Sequence, residues 1–284
     1  MTVYYVDGVF VPAHEAMIPV DDLAVLRGIG VCDIMRTFHG RPYFVNEHID
    51  RLMDSGQKIG LNLPWTAEKI NQIVFQTLEK NPDLDETNIR IVITGGSSPD
   101  FLTPTGRPRL IVMVTPINKL PDSWYTQGIK VITLVQERPL AGAKVTAYLP
   151  AAMAMARARA AGAMEVIYID KHHNALECTT SNLFAFFGNT LVTPPADGIL
   201  KGITRKVILS LARDRFEVSE SPIPLEKLLT ADEVFITGTN KGVVPVVRID
   251  DTPVGTGRPG LNTQTLMTAL ADHSKAFQPG NNRT

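Results

Sequence analysis

Cysteine is nearly absent from this sequence, and its charges almost cancel. Cys32 and Cys178 are the two cysteines among 284 residues, and neither has a CxxC or Cys/His spacing around it. This pattern argues against a disulfide framework and a structural zinc site, and we predict no metal site. The net charge of −1 gives no electrostatic reason to expect nucleic acid or a membrane as a partner.

Long apolar runs are also missing. No run approaches the roughly 20 residues of a membrane span, and the first residues lack the basic and then apolar regions of a signal peptide. We therefore expect a protein of the reducing cytoplasm. The composition, 44% hydrophobic and 20% charged, is typical of globular proteins, and the length accommodates two domains of ordinary size.

The first half of the chain predicts paired strands and two helices. Strand-like runs flank Asp7-Gly8, a dipeptide typical of hairpins. Asn46 is expected to cap a helix with one apolar stripe, and Arg51 lies off that stripe, where it can face a polar group. A second helix is predicted from Thr66 to about Glu79. Residues 88–94 alternate as a strand does, with isoleucines on one face and Arg90 on the other.

The second half restarts after a polar stretch at 116–128. The pattern then predicts strands at 129–135 and 232–237, helices over about 148–161, 204–213 and 263–276, and a frayed tail from Phe277. We place one domain at 1–117 and a second at 128–284, joined by a linker at 118–127. The interpretation is a two-domain α+β (α/β) protein.

Two residues of the second half could carry the chemistry of a cofactor. Lys144 has small and apolar neighbours that would desolvate an ammonium and favour the neutral, nucleophilic amine. Most lysines are solvated surface residues, so Lys144 alone decides nothing. Glu177 follows on a short predicted strand, where a carboxylate could pair with a protonated pyridine nitrogen. An isolated glutamate at a strand edge is more often a surface residue.

Two glycine-containing turns could hold an anion. Gly202, Ile203 and Thr204 open a predicted helix, where backbone N–H groups lack partners and a phosphate can approach closely. Gly238-Thr239-Asn240 follows a strand and offers a second group of amides plus a hydroxyl. Each motif also begins ordinary helices and turns. Together, an imine-forming lysine, a pyridine-directed carboxylate and two phosphate-binding turns are what one cofactor, pyridoxal 5′-phosphate, requires.

Four stretches resemble the class IV aminotransferases, the fold-type IV group of pyridoxal-phosphate enzymes, in order and spacing. They are LECTTSNLF at 176–184, TPP at 193–195, ILKGITR at 199–205 and ADEVFITGT at 231–239. The resemblance covers nearly the whole chain and extends to D-amino-acid and branched-chain aminotransferases. It implies two α/β domains with the active site in the cleft between them. It also implies a homodimer in which a loop of the neighbouring subunit closes each pocket.

The resemblance implies a role for each candidate residue. Lys144 matches the Schiff-base lysine, and Glu177 matches the partner of the pyridine nitrogen. Tyr148 matches the tyrosine near the phenolic oxygen of the cofactor, and Arg51 matches the arginine that clamps the phosphate. The remaining contacts to the cofactor are implied for Leu200, which packs against the ring, and for Gly202, Ile203, Thr204, Gly238 and Thr239.

Three departures from the family pattern concern the substrate. Ala147 replaces an asparagine that usually follows the lysine, and Arg27 and Cys32 replace two aromatic residues. Those aromatic residues normally shape the substrate pocket, so the departures bear on the substrate and not on the cofactor.

Arg27 and Arg90 are the candidate ligands of a substrate carboxylate, with Asn240 as a third substrate residue. A guanidinium binds a carboxylate through two parallel hydrogen bonds. Arg90 matches a pocket arginine of branched-chain aminotransferases. For Arg27 the alternative is a surface ion pair, which needs no function. The acidic residues that could form it are Asp21, Asp22 and Asp33.

The predicted activity is transamination between an amino acid and a 2-oxo acid, with 2-oxoglutarate or pyruvate as acceptor. A D-amino acid is the favoured substrate, because some D-amino-acid transaminases also bind substrate through arginines in place of aromatics. The alternatives are a branched-chain L-amino-acid aminotransferase, an (R)-amine transaminase and a β-elimination like that of aminodeoxychorismate lyase. A non-catalytic binding protein is disfavoured, since a scaffold needs none of Lys144, Glu177, Arg51 and Thr239.

Overall fold

The computed structural model describes residues 1–277, which form two compact units. The first contains Met1–Asn118 and Ala143–Tyr148, with Phe277, and the second contains Lys119–Gly142 and Leu149–Ala276. This division differs from the predicted one in two places: the expected linker at 118–127 belongs almost entirely to the second unit, and the segment around Lys144 belongs to the first. The end of the predicted second domain and most of the predicted tail, 278–284, lie outside the described residues.

The first unit is built on a six-stranded sheet with the order β2-β1-β6-β5-β3-β4 and antiparallel pairing throughout. Its strands are β1 (Val3–Val6), β2 (Val9–Pro12), β3 (Gly30–Phe38), β4 (Arg41–Pro42), β5 (Thr87–Thr94) and β6 (Leu110–Pro116), and its helices are α1 (Leu23–Arg27), α2 (Val45–Lys58) and α3 (Ala67–Glu79). The isoleucines of β5 are fully buried and Arg90 is exposed, which confirms the predicted alternation.

Helix α2 begins earlier than its sequence suggests. Its N-cap is Phe44, in a left-handed conformation with a φ of 53°, and no side chain caps the helix. Val45 is buried, so the chain enters the helix as soon as it leaves the β3–β4 hairpin. The prediction that Asn46 caps the helix was therefore wrong, and Asn46 instead accepts a hydrogen bond from Asn71 of α3. The second helix, predicted from Thr66 to about Glu79, is confirmed as Ala67–Glu79, and the side chain of Thr66 caps it.

The second unit contains a ten-stranded sheet with the order β12-β11-β10-β14-β15-β7-β8-β9-β13, and β16 pairs with β15. The pairs β11–β12, β15–β7 and β7–β8 are parallel. The strands are β7 (Ile129–Val135), β8 (Glu165–Ile169), β9 (Asn174–Cys178), β10 (Asn182–Phe187), β11 (Thr190–Thr193), β12 (Glu217–Glu220), β13 (Ile223–Pro224), β14 (Glu233–Gly238), β15 (Gly242–Ile249) and β16 (Thr252–Pro253).

Five helices accompany this sheet: α4 (Ser123–Thr126), α5 (Leu149–Ala160), α6 (Ile203–Arg213), α7 (Leu225–Leu228) and α8 (Leu261–Lys275). The predictions for α5, α6 and α8 are confirmed to within two residues at each end. Strands β10 and β14 are almost wholly buried, and the rings of Phe184 and Phe235 stack at 4.9 Å between them. The central strands can therefore hold polar groups at their ends in fixed positions.

The helix lengths and the His, Cys, Asp and Glu side chains of residues 1–277 bear on membrane insertion and metal binding. None of the helices there is both long and apolar enough to cross a bilayer. In the same part of the chain, no group of three or more His, Cys, Asp or Glu side chains could hold a metal ion.

The short helix α1 is held in place by Asp22. The carboxylate of Asp22 is fully buried and accepts hydrogen bonds from the backbone of Ala24, the hydroxyl of Thr94 and the guanidinium of Arg109, each at 2.8 Å. It thus caps the helix and ties it to the strands of the sheet. Because α1 ends at Arg27, Asp22 also fixes the position of that residue.

We predict that Asp22→Ala lowers the free energy of unfolding by about 3 kcal/mol, because it leaves a largely buried guanidinium without its main partner. Urea denaturation measures the change. Asp21→Ala is the matched control: Asp21 is only partly buried and accepts from Ser97 at 2.9 Å, so its loss costs less than about 1 kcal/mol. Equal losses in the two variants would show that Asp22 does not anchor the helix.

Candidate active site

Lys144 lies on a short extended segment that pairs with the start of β3. The backbone N–H of Cys32 donates to the carbonyl of Lys144 at 2.9 Å, and that of Thr146 donates to Gly30 at 2.9 Å. The hydroxyl of Thr146 also donates to the carbonyl of Gly28 at 2.8 Å. The lysine segment and the segment after Arg27, where the sequence departs from the family pattern, therefore form one local structure.

The side chain and main chain of Lys144 both have partners in the first unit. Its Nζ donates to the hydroxyl of Tyr148 at 3.3 Å. Its backbone N–H donates to Oγ of Ser55 at 3.1 Å, and that hydroxyl donates in turn to the carbonyl of Arg51 at 2.7 Å. Ser55 is fully buried and so connects helix α2 to the lysine. The predicted residues Arg51, Lys144 and Tyr148 are brought together in this way.

Asp33 is a buried carboxylate beneath helix α2. Arg51 donates to it through Nε and Nη2, both at 2.8 Å, and His48 Nδ1 lies 2.7 Å from the same group. Burial raises the pKa of Asp33, but the charge of Arg51 and the hydrogen bonds of His48 outweigh burial and hold that pKa well below its usual range. Burial lowers the pKa of His48, so this imidazole is neutral near pH 7. The arginine predicted to clamp phosphate is thus fixed by a charge that sequence reasoning missed.

Arg90 shares a sheet face with Cys32. Arg90 on β5 pairs directly with Ile34 on β3, and paired residues of antiparallel strands point to the same side of the sheet. Cys32 lies two residues before Ile34 on β3, so its side chain points to that side as well. Burial raises the pKa of the Cys32 thiol, and three nearby cations, Lys144, Arg90 and Arg51, act in the opposite direction. Arg90 therefore lies in the same electrostatic environment as the lysine.

Arg27 is exposed at the end of α1, and its guanidinium donates to the carbonyl of Leu26 at 2.9 Å. Among the described residues it forms no ion pair. The acids that were its expected surface partners have other partners: Asp21 accepts from Ser97, Asp22 from Arg109 and Asp33 from Arg51. The alternative of a surface ion pair for Arg27 has no support in the structure.

Glu177 lies at the end of β9 in the second unit and is buried. Its Oε1 accepts from Nη1 of Arg138 at 2.6 Å, and its Oε2 accepts from the backbone N–H of Leu200 at 3.1 Å. It is therefore not the solvated glutamate of a strand edge. A carboxylate held in this way is an acceptor of the kind that a pyridinium N–H needs.

Asn182 connects the remaining candidate residues of the second unit. It pairs with Glu177 on β9 and with Thr237 on β14, and its side-chain amide donates to the carbonyl of Leu200 at 2.9 Å. A Cβ at Gly202 would collide with the side-chain oxygen of Asn182, so a larger residue there would displace the amide. The sequence contains Asn182 within a family motif, but nothing in the sequence reveals these contacts.

Both predicted anion-binding turns are present in the second unit. Gly202 is the N-cap of α6 and supplies no side-chain hydrogen bond, so a phosphate could accept from the first N–H groups of the helix. Thr239 and Asn240 lie in the turn that joins β14 to β15, closed by the pair Gly238–Gly242. Thr239 is partly buried and Asn240 is exposed. Within the second unit, an uncapped helix and a second turn fit the phosphate of pyridoxal phosphate, and a buried carboxylate fits its pyridine nitrogen.

Residues 30–249 match the family described as amino-transferase class IV. The chain belongs to the class IV aminotransferases. A putative branched-chain-amino-acid aminotransferase of Methanocaldococcus jannaschii is 35% identical over 94% of this chain and 95% of its own. A D-alanine aminotransferase of Staphylococcus epidermidis is 31% identical over 94% of this chain and 95% of its own. The T.th. branched-chain amino acid aminotransferase with pyridoxamine 5′-phosphate superimposes with a TM-score of 0.90 at 26% identity, covering 98% of this chain and 95% of that one.

The family assignment confirms three predictions. The fold is that of the fold-type IV enzymes, the protein is a transaminase, and its cofactor is pyridoxal phosphate, on which class IV aminotransferases depend. The similar proteins include both D-alanine and branched-chain enzymes, so membership does not select the substrate.

We predict that Asp33→Asn lowers the free energy of unfolding at pH 7 by about 3 kcal/mol, because Arg51 loses its buried partner. A depressed pKa stabilises the fold in full above the pKa of the unfolded group, about 3.9 for aspartate, and the stabilisation is lost as the pH falls from there through the folded pKa. The difference from wild type should therefore be constant at neutral pH and shrink below about pH 4. Denaturation at a series of pH values tests this.

Asp54→Asn is the control for this experiment. Asp54 lies on the same helix in an exposed pair with Lys58, so its removal should cost less than about 0.5 kcal/mol. A loss for Asp33→Asn that did not change between pH 7 and acid would contradict the assignment of the effect to its charge.

Proposed function

We propose that this chain transfers amino groups between D-amino acids and 2-oxo acids, with 2-oxoglutarate or pyruvate as acceptor. One observation carries this proposal: Arg27 has no acidic partner among the described residues. The three acids that could have paired with it, Asp21, Asp22 and Asp33, have other partners. The carboxylate of an amino acid is a partner of matching charge and geometry.

The first unit supplies the proton-transfer group. Bound pyridoxal phosphate supplies an aldehyde carbon that bonds to amines and a ring that takes up electrons when the Cα–H bond breaks. With the cofactor and an amino donor bound, the Nζ of Lys144 would accept the Cα proton as a general base. The hydroxyl of Tyr148, 3.3 Å from Nζ, holds the amine, and Ser55 fixes its backbone. Arg51, oriented by Asp33, provides positive charge for the phosphate.

The second unit supplies the remaining cofactor contacts in this proposal. Glu177 accepts a hydrogen bond from the pyridine nitrogen, with Arg138 and Leu200 holding its two oxygens. Leu200 packs against the ring. Donors to the phosphate come from the first turn of α6 at Gly202, Ile203 and Thr204, and from the turn of Gly238 and Thr239.

Two arginines and an amide are assigned to the substrate. Arg90 lies on the face of Cys32 near Lys144, and Arg27 ends helix α1. Both are exposed, so their guanidinium groups can reach a ligand. Asn240 is exposed in the turn after β14 and could contact the substrate by hydrogen bonds.

A branched-chain L-amino-acid aminotransferase is the second candidate. It is favoured by the 35% identical Methanocaldococcus jannaschii protein, whose name is that of a putative branched-chain enzyme. Both Arg27 and Arg90 are compatible with it, because an L-amino acid brings the same carboxylate.

We also propose a homodimer in the cytoplasm. Several apolar side chains around α1 are exposed, as a surface that pairs with a second copy would require. They are Met17, Val20, Val25 and Leu26. Both cysteines are free and buried, as in a protein of a reducing compartment.

We predict that D-alanine with 2-oxoglutarate, and D-glutamate with pyruvate, react at least tenfold more efficiently than L-leucine or L-valine with 2-oxoglutarate. The measurement is kcat/KM from oxo-acid formation by each donor, with Lys144→Ala as the inactive control. Faster reaction of the L-amino acids would establish the branched-chain alternative, and faster reaction of an (R)-amine would establish that alternative. Pyruvate release from aminodeoxychorismate without an acceptor would instead indicate β-elimination.

We further predict that Arg27→Leu lowers kcat/KM for amino acids about 10- to 100-fold, mainly through KM, because a charge-assisted hydrogen bond is worth about 1.5–3 kcal/mol. An (R)-amine without a carboxylate should change less than twofold. Arg41→Leu, an exposed arginine on β4, is the control. Equal effects on amino acids and amines would remove Arg27 from the substrate site.

A further inference from the structure

Lys241 ends the turn that contains Thr239 and Asn240, and its side chain turns back into the second unit. Its Nζ lies 2.5 Å from Oε2 of Glu165 and donates to the hydroxyls of Thr180 and Ser181, each at 2.7 Å. An ammonium has three N–H donors, and all three are used here. Lys241 therefore has no donor left for a phosphate and does not itself bind one in this geometry.

Glu165 is the centre of this cluster. It is 1% exposed and also accepts hydrogen bonds from the hydroxyls of Thr179, Thr180 and Ser181. Burial raises the pKa of Glu165, but Lys241 and the hydroxyls of Thr179 and Thr180 outweigh burial and lower that pKa below its usual value, so the carboxyl is ionised at neutral pH. A buried carboxylate with so many partners defines the position of each of them.

The main chain of Lys241 is also held. Its backbone N–H donates to the carbonyl of Gly238 at 3.1 Å, and its carbonyl accepts from the hydroxyl of Tyr125 at 3.0 Å. Both the backbone and the side chain of the residue that follows Asn240 are thus fixed. The turn between β14 and β15 cannot move without breaking these contacts.

The residues Thr179–Ser181 form the turn between Glu177 on β9 and Asn182 on β10. The pair Glu165–Lys241 therefore joins two turns: the one that follows Glu177 and the one that contains Thr239. We propose that Lys241 is a positioning residue that, through Glu165, holds the Thr239 turn in the arrangement that binds the cofactor's phosphate. This inference rests on the proposed role of Thr239.

The test compares pyridoxal phosphate with pyridoxal, which lacks the phosphate, in titrations of the apoenzyme followed by protein fluorescence. Lys241→Met should raise the Kd for pyridoxal phosphate at least tenfold and that for pyridoxal less than twofold. Lys241→Arg should restore most of the affinity.

Amide hydrogen exchange at Asn240 and Lys241 should be at least tenfold faster in the Lys241→Met apoenzyme. Lys130→Met, which breaks an exposed pair with Asp251, is the control and should change neither constant.

Three outcomes have separate meanings. An unchanged Kd for pyridoxal phosphate, or an equal rise for both ligands, in a folded Lys241→Met protein overturns the inference. If that variant does not fold because Glu165 is left unpaired, Glu165→Gln with Lys241→Met removes the buried charge, and the same two constants decide. Thr239→Val tests the role on which the inference rests: if it leaves the affinity for pyridoxal phosphate unchanged, the proposed phosphate site fails whatever Lys241 does.

Discussion

The buried carboxylate of Asp33 is the charge on which the functional side chains of the first unit depend. A charge without solvent persists in a fold only when its hydrogen-bonding capacity is satisfied. Arg51 and His48 satisfy it from one face of α2, and their joint geometry fixes the rotation of that helix above the sheet. Ser55, one turn further, then reaches the backbone of Lys144. One ion pair thus orients both the arginine and the lysine.

In the second unit, a neutral side chain holds the candidate residues in position. Asn182 joins β9, β10 and β14 and donates to Leu200, whose N–H is held by Glu177. An amide suits this position because it both donates and accepts hydrogen bonds and carries no charge. It can therefore hold a loop without needing a buried counter-charge. The glycine at 202 is a consequence: the amide oxygen of Asn182 occupies the space that any Cβ would need.

Much of the fold follows from local patterns. The alternating isoleucines of β5, the stripe of α2 and the cap of α3 are properties of neighbouring residues and are predictable from sequence. The pairing of Lys144 with Cys32 is not, because it joins residues far apart in the chain through backbone groups that every residue has. Likewise, family motifs identify Glu177 and Arg51, but their partners Arg138 and Asp33 emerge only when the strands are assembled.

The balance of charge in the first unit bears on the choice of substrate. Burial and Asp33 raise the pKa of the Cys32 thiol, and Lys144, Arg90 and Arg51 lower it. Arg51 is paired with Asp33, whereas Arg27 forms no ion pair among the described residues. A guanidinium without an acidic partner gains a charge-assisted hydrogen bond from a substrate carboxylate and none from a substrate that lacks one. The departures from aromatic residues at 27 and 32 therefore favour substrates that bring their own negative charge.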